Sequence, residues 1–204
     1  MPLFAFILSH IATIYFITDL YFRRHVYAQT MSSVFWRLHL MKNLIIIRAL
    51  PGAGKSTLAE LIASSTPGSS AICTTDDYPG LYTHDEDMGI VFNGMQFDEN
   101  DVPMIVKAHQ WNQETAESAM IDGKNTVIVP NTNVMRWEFQ SYLDLAEREG
   151  YQVFVISLFD GGCTDEELLH RNTHGVPLQA IQGMRERFEH DWKNADPRNP
   201  RERG

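Results

Sequence analysis

LIIIRALPGAGKST, residues 44–57, is the stretch from which the rest of the chain can be read. Leu44 to Ile47 form an unbroken apolar run, the mark of a strand buried on both faces. A glycine-rich turn follows, and Lys55-Ser56-Thr57 open a segment with helical spacing, Leu58, Leu61 and Ile62 on one side. Strand, glycine turn, Lys-Ser and helix together make the phosphate-binding pattern G-x-x-x-x-G-K-[ST]. Its loop here is Leu50, Pro51, Gly52, Ala53 and Gly54, and Ala49 stands where the first glycine is usual. That position ends the strand, where a small residue fits if its φ stays negative. Backbone N–H groups of such a loop point at phosphates, with the helix dipole behind them. Lys55 is expected to reach the β- and γ-phosphates of ATP, and the Ser56 hydroxyl to bind Mg²⁺.

The composition sets outer limits. With 204 residues the chain has material for one ordinary domain, and its apolar and charged fractions are those of a globular protein. A formal charge of -9 argues against a broad polyanion-binding surface, though not against a local phosphate site. Cys73 and Cys163 lack CxxC spacing and read as reduced thiols of a cytoplasmic protein. The histidines show no zinc-binding spacing.

Residues 1–40 read differently from the rest. MPLFAFILSHIATIYFIT carries no charged side chain and is followed by Arg23 and Arg24. Three readings stand: a dispensable start before Met41, a membrane anchor over residues 1–22 with the body on the cytoplasmic side, or an extra packed helix. The body is assigned to residues 41–193 and a tail to 194–204.

Along the body, strands are expected at 43–49, 69–74, 125–130 and 151–159, and helices at 54–65, 101–122, 134–149, from Thr164, and from Pro177 to Lys193. Asp101 is the expected cap of the second helix, and its apolar stripe is expected through Val102, Ile105, Ala108, Trp111, Thr115 and Ala119. Thr164 and Glu167 have capping-box spacing. The acidic stretch between Cys73 and Val106, without Lys or Arg, reads as irregular. His109 and Trp111 read as structural residues, with an acceptor-site wall as the alternative; Arg185 and Arg187 read as solvated, with a phosphate contact as the alternative for Arg187. Alternating strands and helices imply an α/β fold with a parallel sheet covered by helices on both faces.

The second strand ends in TTDDY, residues 74–78. Carboxylates at the C-terminal end of a parallel strand beside the loop face the ligand crevice, where one can take a proton from an attacking hydroxyl. RALPGAGKST, TTDDY, GMQFD, NTN and HRNTHG occur in the order found in phage-type polynucleotide 5′-kinases. Over residues 43–192 the chain resembles these and the kinase-like domain of the Nedd-four-binding-protein group. The resemblance implies a P-loop NTPase fold with a five-stranded sheet and a helical lid. It implies Asp76 as general base and Arg171 as a lid arginine over the ATP phosphates. Thr75 and Asp77 are expected as substrate contacts, and Asn131 and Asn133 as contacts to substrate or to a metal-bound water, unless the site is weakened. The acceptor would be a nucleic-acid or nucleotide 5′-hydroxyl, or else a small alcohol. Two departures stand out: the family's acid beside the TN motif is absent from residues 127–134, and Pro79 and Gly80 follow Tyr78 where a phosphate-binding basic residue is usual. These departures, with Ala49, keep open an ATP-binding module or slow ATPase without an acceptor.

Overall fold

The computed structural model describes residues 41–87 and 89–190. The hydrophobic segment 1–40, with its three readings, and the tail 194–204 lie outside the described residues. Among those described, no helix is long and apolar enough to cross a membrane.

Strand β1 (Asn43–Ala49) is followed by helix α1 (Lys55–Ser65) and strand β2 (Ser70–Ile72). Helix α2 (Met104–Ile121) leads to β5 (Thr126–Val129), helix α3 (Trp137–Glu149) to β6 (Gln152–Phe159). The four strands form one parallel sheet in the order β2-β5-β1-β6. Leu44 and Ile46 pack with Ala116, Met120, Phe139 and Tyr142 of α2 and α3. Ile45 and Ile47 pack with Leu58, Ala59 and Ile62 of α1 on the other side. Alternate residues of β1 therefore serve the two faces, which is why the run has no polar gap. Of the fifth parallel strand that the resemblance implies, the described residues contain none.

The register of β1 against β6 slips between Arg48 and Ala49, where Ala49 faces Phe159 instead of Leu158. Phe159 has φ 53°, and its carbonyl accepts the Leu50 N–H at 2.8 Å. The bulge turns β1 into the loop it serves. Ala49 is absent from the positive-φ residues, so the missing glycine costs no backbone strain.

Several expectations are corrected. The acidic stretch is not wholly irregular. A 3-10 turn spans Thr75–Asp77, and β3 (Tyr82–Asp85) pairs antiparallel with β4 (Gly89–Phe92). Gly89, at φ 75°, closes the hairpin, and Asp85 accepts the Asp87 N–H. Helix α2 begins at Met104, not Asp101, which sits at φ 58°. Carbonyls of the GMQFD segment replace a side-chain cap: Gln96 O accepts Met104 N–H and Gly94 O accepts Ile105 N–H. The buried stripe of α2 runs through Ala108, Asn112, Ala116, Ala119 and Met120, rotated by a residue from the expected one. Asn112 is tolerated there because it donates to the buried Tyr142 hydroxyl at 2.9 Å.

Helix α4 (Asp165–Arg171) has the full Thr164–Glu167 capping box. Helix α5 (Leu178–Arg187) stops at Phe188, five residues short of Lys193. Phe188 turns inward, where it meets Phe159 at 5.0 Å and Arg48 at 4.5 Å. Arg185 is not solvated. It pairs with Asp160 at 2.5 Å and Asp165 at 2.7 Å, tying α5 to the start of α4.

Arg48 is fully buried. It donates to the carbonyls of Asn133 and Val134, each at 2.7 Å, and of Glu189 at 3.1 Å. Burial lowers its pKa to about 10, with Glu189 and Glu138 acting against that. One guanidinium thus clasps the segment after β5 to the segment after α5. Arg48→Leu should leave the Asn133 and Glu189 carbonyls without this donor, Val134 keeping only the Glu189 N–H, and cost about 3 kcal/mol of stability in chemical denaturation.

Candidate active site

The loop after β1 and the start of α1 form the floor of a cleft of about 480 Å³. Gly52 has φ 80° and Gly54 φ 95°, both in the left-handed region. At Gly52 a Cβ would fall 2.3 Å from the Leu168 carbonyl oxygen, so α4 sits directly against the loop. Leu168 itself is fully buried, in a cluster with Ala49, Leu50, Ala53 and Ile181. No side chain caps α1, which leaves its first-turn N–H groups available to an anion. Lys55, Ser56 and Thr57 line the cleft there.

Lys55 Nζ donates to the Leu50 carbonyl at 3.1 Å. Burial lowers its pKa to about 8, partly offset by the Asp76 carboxylate. A bound phosphate would stabilise the ammonium and raise that value, so phosphate binding above pH 8 must take up a proton. The sign follows: nucleotide affinity is full below pH 7 and falls as pH rises through 8. ATP affinity should weaken about tenfold between pH 7 and pH 9, by titration calorimetry, and Lys55→Met should be flat over that range.

Asp76 lies in the 3-10 turn capped by Thr74, whose Oγ1 accepts the Asp76 N–H. Asn131, 5% exposed at the end of β5, fixes this turn. Its Oδ1 accepts from Thr75 N–H at 3.2 Å and from both threonine hydroxyls at 3.3 Å. The amide thus holds the TTDD segment, and no acid is needed for that job. Thr75 and Asn131 both border the cleft. Asp77 is exposed and does not line it, and Asn133 is buried behind it at φ 46°, its carbonyl bound by Arg48.

Two residues that sequence reasoning passed over complete the surroundings of Asp76. The Tyr82 hydroxyl donates to Oδ1 at 3.1 Å, and His174 Nε2 stands 3.5 Å from Oδ2. The Tyr82 and His174 rings pack at 4.9 Å, tilted by 38°. Burial, and after it the Asp76 carboxylate, push the Tyr82 pKa up, so it stays a donor. The only signal for His174 was its place in HRNTHG. Arg171, three residues earlier, lines the cleft and donates from Nη1 to Cys163 Sγ at 2.9 Å. Its Nη2 lies 4.0 Å from where a Gly54 Cβ would be, which brings the guanidinium to the mouth of the loop. His109 also lines the cleft, in line with the acceptor-wall alternative, whereas Trp111 packs edge-on against Tyr78 at 5.9 Å.

Residues 44–190 match the family described as AAA domain. The chain belongs to that family. This AAA domain is 35% identical over 152 residues to human (Homo sapiens) NEDD4-binding protein 2, a match that takes in 72% of this chain and 8% of that protein. The chain therefore spans under a tenth of that relative's length. A chain of the Pnkp1/Rnl/Hen1 RNA repair complex shares the fold, with a TM-score of 0.53 at 15% identity over 74% of this chain and 45% of that one. A gluconokinase from Sinorhizobium meliloti 1021 is a looser neighbour, with a TM-score of 0.43 at 18% identity over 73% and 76%. The resemblance to the Nedd-four-binding-protein group is shown, and the AAA domain has a P-loop kinase-like α/β fold.

Proposed function

We propose that this AAA domain is an ATP-dependent phosphotransferase. It moves the γ-phosphoryl group of Mg·ATP to an acceptor hydroxyl, for which a nucleotide or polynucleotide 5′-hydroxyl is the leading candidate. The observation that carries the reading is the placement of Asp76 in the same cleft as Lys55, Ser56 and Arg171. A nucleotide-binding module alone would need the loop and the lysine. It would not need a carboxylate held by two partners in the same cleft.

ATP phosphates would lie on the N–H groups of residues 52–57, with Lys55 on the β- and γ-phosphates. Among the described residues no cluster of His, Cys, Asp and Glu is able to hold a metal by itself. A magnesium ion fits the Ser56 hydroxyl, with phosphate oxygens and water completing its shell. When bound, it would neutralise phosphate charge. The acceptor oxygen attacks the γ-phosphorus, the bond to the β-bridging oxygen breaks, and ADP leaves. The hydroxyl proton passes to the Asp76 carboxylate. Arg171 swings from Cys163 onto the transferring group and balances its charge. The Asn131 amide keeps the Asp76 turn in place.

The test is label transfer from γ-labelled ATP to 5′-hydroxyl RNA and DNA oligonucleotides, nucleosides and small alcohols. Label on an acceptor, lost in Asp76→Asn, supports the reading. ATP bound but label on none of them would sink it in favour of a binding module.

A further inference from the structure

The side chains in direct contact with the Asp76 carboxylate carry no fixed positive charge. Tyr82 and His174 touch its two oxygens, and Phe92 packs on Tyr82 with ring centres 5.5 Å apart. Ile105 and His109, one turn apart on α2, line the same cleft. Among the described residues that line it, the only Lys or Arg are Lys55 and Arg171. Both stand at the phosphate loop: Lys55 is bonded to Leu50, and Arg171 lies beside Gly54. The ATP phosphates would take both.

The covering segment adds no cation. Residues 76–101 contain acids throughout and no Lys or Arg. Lys107, the next basic residue, is paired with Asp98. A phosphate carried by the acceptor close to its hydroxyl would therefore face Asp76 and the γ-phosphate with no ammonium or guanidinium left among the described residues to balance it. What the wall does offer is apolar and aromatic surface. Phe92 is 43% exposed, and Tyr82 and His174 line the same cleft. Flat rings stack on such surface.

We infer that the acceptor pocket takes an uncharged, ring-bearing alcohol of nucleoside type, its hydroxyl at Asp76 and its ring against Phe92 and Ile105, and does not take an acceptor phosphate next to the reacting hydroxyl. Among 5′-hydroxyl acceptors this places a free nucleoside ahead of a 3′-nucleotide or a polynucleotide end. This rests on the phosphotransfer reading. The step is the same transfer: the acceptor oxygen–phosphorus bond forms, ADP leaves, and the proton goes to Asp76.

The experiment uses the full chain, Mg²⁺ and γ-labelled ATP. Adenosine and thymidine are compared with their 3′-monophosphates and with glycerol as a ringless alcohol. The expected result is a kcat/KM for each nucleoside at least about tenfold above that of its 3′-phosphate and of glycerol, a loss set by the uncompensated charge or the missing ring. Ile105→Arg, which adds a cation to the wall, should narrow the gap between nucleoside and 3′-phosphate. Preference for the 3′-phosphates or for glycerol would overturn this inference and leave phosphotransfer standing. Label on no acceptor, with ATP still bound, would overturn both.

Discussion

Asp76→Asn should lower phosphoryl transfer by about 10²–10⁴-fold, the span usual for loss of a general base. ATP affinity at pH 7 should stay near that of the wild type. The substitution is nearly isosteric, and an amide oxygen still accepts from Tyr82. It removes the ability to take a proton, and one negative charge, from the 3-10 turn after β2. Its structural cost should be small, because the turn is held through Thr75 and Asn131, not through the Asp76 side chain. Single-turnover transfer, measured beside ATP binding on the same preparation, separates the two readouts. An unchanged transfer rate would remove Asp76 as the base. A parallel loss of ATP binding would mean that Asp76 acts by keeping Lys55 charged, since its carboxylate raises the Lys55 pKa.

Nothing comparable is expected at Asp77, its neighbour in the same motif. Asp77 is exposed and does not line the cleft. A pair of adjacent acids looks equivalent in a sequence. The 3-10 turn decides between them by pointing successive side chains in different directions. Asn131 and Asn133 are divided in the same way. One holds the TTDD turn at the cleft, and the other is buried with a left-handed backbone under Arg48.

These cases show where local pattern stops. β1, its loop and the capping box at Thr164 were legible because each is written in a few consecutive residues. Apolar run, glycines and hydroxyl-x-x-Glu specify their geometry without help from distant chain. The β3-β4 hairpin also had a local signal, Tyr82 and His84 against Ile90 and Phe92 in alternation. The density of acids around it outweighed that signal. Arg48 was not legible at all. Its burial depends on carbonyls 85, 86 and 141 residues away, and a lone arginine near the end of an apolar run looks like a strand reaching solvent. His174 at Asp76 is likewise a product of tertiary structure, brought in by the chain that follows α4.

Gly52→Ala should weaken ATP binding by roughly 30- to 4000-fold and displace α4. Two costs meet at this position. The left-handed φ of 80° disfavours any residue with a Cβ, by about 1–2 kcal/mol. The added methyl would also stand 2.3 Å from the Leu168 carbonyl oxygen, a backbone atom of a helix whose side chain is locked in the core beneath. Relief requires either the loop or α4 to move, at about 1–3 kcal/mol. The sum is about 2–5 kcal/mol, and every 1.4 kcal/mol is tenfold in affinity when the bound geometry is the one disfavoured. Either movement also separates Arg171, the last residue of α4, from the loop. Gly80→Ala is the control, with φ 85° and nothing within 4 Å of the new methyl. It should show the backbone cost alone and leave ATP binding intact. If the two variants bind ATP equally, α4 does not seat against the loop in solution, and Arg171 cannot reach the phosphates from the position described here.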